Sequence, residues 1–261
     1  MRNTGVALHF REFGNPETPK LCLLHGLFGS ANNWMSVVKY LQQGFHVIAP
    51  DLRNHGRSPH HQEMDYGLMA DDLLRLFDSL EISSVCLVGH SMGGKVAMWL
   101  ALQRPERVEK LVVADIAPVT YAHRFDAIFQ ALAGLRLDEI GSREEADSGL
   151  AEWVSDRGVR QYLLQNLLKQ RDGWHWRFNL EGLRSAISDM AGFPQVESEI
   201  FAGETLFVHG EKSDYVTDAY RERIAQLFPH YRLRMLHGVG HWLYAEQPQL
   251  FAQVVRHFIA G

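Results

Sequence analysis

Apolar positions come in short unbroken runs, separated by segments with helical spacing. The runs Lys20–Leu24, His46–Pro50, 85–88 and 110–114 stay apolar on successive residues instead of alternating. That pattern fits strands of a parallel sheet covered on both faces. Between them, 33–41, 69–80 and 95–103 repeat at helical spacing, and Asp71, Asp72, Arg75 and Asp78 are expected to form the solvated face of the second. Strand–helix–strand alternation predicts an α/β protein with a mostly parallel, doubly wound sheet.

The rhythm stops near Val119. Up to Ile200 the pattern is mostly helical, with Phe125, Ile128, Phe129 and Leu132 at helical spacing, as are Tyr162, Leu163, Asn166 and Leu167. It then resumes with strands at 205–209 and Tyr231–Leu236 and a closing helix at 248–259. An interruption bracketed by one architecture reads as an insertion. The expected organisation is therefore one core domain, 1–118 and 201–261, with a helical cap at 119–200 inserted between strands. The Phe125, Ile128, Phe129 stripe could touch a membrane; packing against the main domain is the expectation.

Composition adds mainly exclusions. The 261 residues, 46% hydrophobic and 22% charged, are ordinary for a globular protein and long enough to need no covalent staples. Cys22 and Cys86 lie inside apolar runs and read as small core residues. A net charge of −5 without a basic stripe argues against nucleic acid as a partner. No run is long enough to span a bilayer, and residues 1–13 show no signal-peptide core, so a cytoplasmic protein is expected, a monomer or small homo-oligomer. Metal-ligand spacings and dinucleotide or phosphate-loop patterns are missing, so neither metal nor cofactor is expected.

The chemistry concentrates in Gly89-His90-Ser91-Met92-Gly93, between an apolar strand and a helical run. This is the context of a nucleophile elbow. Glycine two residues either side of the serine relieves the crowding of so sharp a turn. The serine takes strained backbone, at ~1–3 kcal/mol, and its hydroxyl stands exposed at a helix start. A serine hydroxyl needs a base, and the base an orienter. His241 follows the last strand, preserving the chain order serine, acid, histidine. His90 should point away from the hydroxyl, and His25 and His55 come too early for this order. Two acids end strands, Asp115 and Asp214. The commoner position, three residues after a glycine like Gly210, holds Ser213, which cannot balance an imidazolium; Asp115 is favoured and Asp214 is the alternative. The loop His25-Gly26-Leu27-Phe28-Gly29 could offer the Leu27 amide to an oxyanion, with the Met92 amide as second donor. Phe28, Met92 and Trp242 are expected to line an apolar acyl pocket.

The stretches Asp51-Leu52-Arg53-Asn54-His55-Gly56-Arg57-Ser58-Pro59, Gly89 to Lys95 and Asp115-Ile116-Ala117-Pro118-Val119 resemble the α/β-hydrolase superfamily, and within it the YbfF-type bacterial esterases. The resemblance implies a helical cap and hydrolysis of carboxylic esters, and extends to acyl-CoA thioesters. It maps the acid onto Asp115 and gives the 51–59 stretch a loop-shaping role. Other chemistries on the same scaffold, carbon–carbon bond hydrolysis or perhydrolysis, and a non-catalytic ligand-binding role are the alternatives.

Overall fold

The computed structural model describes residues 5–122 and 125–261. Met1–Thr4, part of the stretch judged to lack a signal core, lie outside the described residues, as do 123 and 124 of the expected cap. The first half runs β1 (Phe10–Phe13), β2 (Lys20–Leu24), α1 (Met35–Leu41), β3 (His46–Pro50), α2 (Tyr66–Ser79), β4 (Val85–His90), α3 (Met92–Gln103) and β5 (Val108–Ala114). An excursion follows: α4 (Asp126–Gly134), α5 (Arg143–Ala151), α6 (Arg157–Leu164), the hairpin β6 (Leu167–Gln170) and β7 (Gly173–Trp176), and α7 (Leu180–Ala191). The chain closes with β8 (Thr205–Gly210), α8 (Arg221–Leu227), β9 (Tyr231–Leu236), α9 (Leu243–Glu246) and α10 (Pro248–Ala260).

Among the described residues seven strands form one sheet, in the order β1-β3-β2-β4-β5-β8-β9, parallel except for β1. The unbroken apolar runs are explained by its two covered faces. On β2, Cys22 and Leu24 face one core cluster, Leu21 and Leu23 the other; β4 and β5 alternate likewise. The first cluster takes in α2, α3 and α8 and continues into the excursion through Phe129, Leu163 and Leu183. The second holds α1 and α10.

From β2 the chain turns one way to β3, and from β4 the other way to β5 and β8. The carboxyl ends of β2 and β4 therefore flank a switch point, where open α/β sheets leave a crevice.

Three local expectations change. Helix α2 begins at Tyr66 because the Asp65 carboxylate caps it, accepting from Leu68 N at 2.7 Å. Asp72 is buried, not solvated: its carboxylate accepts two bonds from the Arg53 guanidinium, at 2.7 and 2.8 Å, and one from Val6 N. Burial raises the Asp72 carboxyl, with Arg53 pulling the other way. Helical spacing over 162–167 is cut at Leu164, because Leu167 pairs with Trp176 in a hairpin turned at Arg171 and Asp172, with Gly173 at φ +133°.

Candidate active site

Ser91 stands between β4 and α3 at φ 52°, ψ −119°, with its N–H donated to Ala114 O of β5 at 3.0 Å. The flanking glycines are required by space. A Cβ at Gly93 would overlap the backbone oxygens of Leu24 and His25, and one at Gly89 the backbone of Gly93 and Gly94. The elbow is thus pressed against the end of β2, which brings the 25–29 loop beside it.

Asp115 follows β5, fully buried, at φ 53°, its N–H bonded to Val208 O at 2.8 Å. Its carboxylate accepts the His241 Nδ1–H at 2.7 Å, the Ser213 hydroxyl, and Gly210 N–H at 3.2 Å. Ser213, standing where the commoner acid would be, is therefore a ligand of Asp115. Asp214 is exposed, and no hydrogen bond joins it to the His241 ring. The ring of Tyr215 stacks on the imidazole at 4.1 Å, 25° from parallel. With Nδ1–H pinned to the carboxylate, the basic nitrogen left to His241 is Nε2.

His90 lies 4.6 Å from His241, ring centre to ring centre, and donates from Nε2 to His241 O at 2.9 Å, so the elbow and the histidine loop are tied together. Burial, then the neighbouring His241, holds His90 well below the usual histidine range, which keeps it neutral. Among the described residues no hydrogen bond joins the Ser91 hydroxyl to the His241 ring. Such bonds are often long without substrate and tighten in the reacting complex.

The Leu27 and Met92 amides have no acceptor among the described residues, while neighbouring polar groups of the 25–29 loop do. Leu27, Ser91 and Met92 line one narrow cavity with Tyr66, Lys95, Ile116, Tyr121, Phe125, Met190 and Tyr215. Phe28 is not among its lining residues; its ring packs against Phe129 and Phe178 of the excursion. Trp242 borders a second, more open groove together with His241 and Tyr162.

Three further groups of polar side chains lie beside Ser91. His25 accepts Leu52 N–H at Nε2 and donates from Nδ1 to Gly26 O; His55 accepts Phe28 N–H at Nε2 and donates to Arg53 O. Both are buried and pushed down by that burial, His55 to about 3. Both come before Ser91 in the chain, and their position in the two loops is the signal that marks them. Asp51 accepts Ala31 N–H and Arg57 N–H, which ties the 51–59 stretch to the segment just after the 25–29 loop. Lys95, one helical turn after Ser91, is fully buried, donates to Ala191 O and Gly192 O at the end of α7, and is lowered by burial to about 7.

The sheet order and the elbow define an α/β hydrolase. The chain belongs to that family and is an enzyme of it: the alpha/beta hydrolase fold family matches residues 19–248. It is 40% identical to the mouse (Mus musculus) sn-1-specific diacylglycerol lipase ABHD11 over 255 residues, 95% of this chain and 83% of the relative. It is 35% identical to esterase YbfF of Escherichia coli K12 over 240 residues, 92% of each. A solved structure titled marine microorganism esterase superposes with a TM-score of 0.94 at 36% identity, covering 97% of this chain and all of that one. No helix among the described residues is long and apolar enough to cross a membrane.

Proposed function

We propose that the chain hydrolyses carboxylic esters through an acyl-enzyme on Ser91. The observation that carries this is the 2.7 Å bond from His241 Nδ1 to a buried Asp115, made beside the strained Ser91 turn. Ser91 Oγ attacks the acyl carbonyl as His241 Nε2 takes its proton. Asp115 keeps the imidazole in the Nδ1–H form and balances its charge once protonated. The Leu27 and Met92 amides receive the oxyanion, each worth ~3 kcal/mol by analogy with measured donors. His241 then protonates the departing alkoxide. Water, deprotonated by the same nitrogen, releases the acid and restores Ser91.

The excursion acts as the cap, closing the narrow cavity over the serine with Phe125 and Met190. The apolar lining favours an acyl chain there, and the same steps cleave a thioester. The similarity to an esterase and a diacylglycerol lipase supports an ester substrate here.

A fluorophosphonate should label the wild-type protein once, at Ser91, and Ser91→Ala should lose the label and at least ~10³-fold in kcat. Labelling elsewhere, or a fully active Ser91→Ala, ends the proposal. A panel of p-nitrophenyl esters and acyl-CoA thioesters of graded length ranks the two substrate classes.

A further inference from the structure

The oxyanion loop is gripped from two sides. On the core side, His25 holds Gly26 O at 2.8 Å and His55 holds Phe28 N–H at 3.1 Å. On the excursion side, the Tyr162 hydroxyl of α6 donates to Leu27 O at 3.0 Å, and Asn166 Nδ2, in the turn after α6, donates to Phe28 O at 2.6 Å. All four side chains are buried. A peptide unit is planar, with its C=O and N–H pointing opposite ways. Holding Gly26 O therefore sets the direction of Leu27 N–H, and holding Leu27 O and Phe28 O sets the next two peptide planes.

The loop needs that support. Phe28 has φ +61°, a left-handed conformation that a bulky side chain adopts only under constraint. Its ring is wedged between Phe129 and Phe178, both from the excursion. Half of the constraint on an element of the core thus comes from the inserted segment.

We infer that Tyr162 and Asn166 are positioning residues for the oxyanion donor: by fixing the two peptide planes that follow Leu27, seating of the cap keeps the plane that carries Leu27 N–H, gripped by His25 through Gly26 O, from turning, and thereby supports the rate of acyl transfer. This rests on the acyl-enzyme reading above. It gives the cap a part in turnover beyond enclosing the substrate: an unseated cap leaves Phe28 free to relax and the donor misaimed.

The test uses Tyr162→Phe, which keeps the ring against Trp242, and Asn166→Asp, which keeps shape but removes the donor. Gln165→Ala serves as control, because Gln165 meets the excursion's exposed core contact, Asn33, without touching the loop. Steady-state kinetics on one p-nitrophenyl ester are paired with inhibition by a trifluoromethyl ketone, whose hemiketal oxygen occupies the donor site. Each loop variant should lower kcat ~10- to 50-fold with KM within about twofold. The ketone's Ki should weaken by the same factor as kcat/KM falls. Gln165→Ala should match wild type. If Asn166→Asp does not fold, Tyr162→Phe decides alone, with its melting temperature measured alongside. Unchanged kcat, a rise in KM alone, or a ketone Ki that does not follow kcat/KM overturns the inference. If wild type itself neither turns over the ester nor takes a fluorophosphonate at Ser91, the failure belongs to the acyl-enzyme reading.

Discussion

Asp115 accepts three hydrogen bonds at its carboxylate, from two distant segments: one from His241, and two from Ser213 and Gly210 in the turn after β8. Its carboxylate is held on both oxygens while its backbone sits in the left-handed region, so neither rotamer nor main chain is free to let the imidazole tilt. Asp115→Asn should lower kcat ~10⁴-fold, because an amide can favour the wrong imidazole tautomer. Asp214→Asn should stay within about threefold of wild type, since the carboxylate bonded to His241 Nδ1 is that of Asp115. Kinetics of the two purified variants distinguish the acids; the reverse order would reassign the role. That Asp115 is a candidate partner of His241 is legible in the sequence through a negative, Ser213 in the commoner place. That Ser213 then donates to the chosen acid was not, because the two residues are 98 positions apart.

At the scale of elements, the excursion is tied to the core at both ends of α7. Asn179 caps its start and meets Asn54 of the 51–59 loop, side chain to side chain at 3.0 Å. Its end is met by Lys95 and by the Tyr66 hydroxyl on Met190 O. A cation at a helix C-terminus is favourable, yet this one is buried with no carboxylate bonded to it among the described residues, and burial brings it to about 7. Between about pH 7 and 10.5 the unfolded chain holds a proton on Lys95 that the folded chain has released. Stability therefore rises with pH through that window, by up to ~1.4 kcal/mol per unit, and the penalty of holding the cation is fully present below pH 7. Urea unfolding of wild type and Lys95→Met between pH 7 and 10 should show this slope in the difference between the proteins; parallel curves would refute it. Helix existence was largely readable from spacing. The hairpin after α6 and the buried face of Asp72 were not, since both depend on partners elsewhere: Trp176 for Leu167 and Arg53 for Asp72.

Across the whole molecule, the candidate site residues gather at the carboxyl end of the sheet. The 25–29 loop, Ser91, Asp115, Ser213 and His241 all follow carboxyl ends of strands, and three buried neutral histidines, His25, His55 and His90, brace the loops between them. Burial lowers all three, so the unfolded chain binds protons there that the folded chain refuses. Stability should fall as pH drops below about 6.5, and for His55 the loss is complete only near pH 3. Guanidinium unfolding midpoints between pH 7 and 4 should decline for wild type, and less steeply for His55→Gln. A His55→Gln slope equal to wild type would place the acid sensitivity elsewhere.

The amino-acid order alone determined what is local or periodic. Two-faced strands, amphipathic helices, a glycine-flanked serine and a break in the α/β rhythm each reveal themselves within a dozen neighbouring residues, because backbone geometry repeats on that length. Tertiary structure alone decided which distant groups meet. The tie of Ser213 to Asp115, the grip of Tyr162 and Asn166 on the 25–29 loop, and the seat of Lys95 under α7 are hydrogen bonds across long loops, closed by the sheet's strand order and by the cost of leaving buried polar groups unpaired.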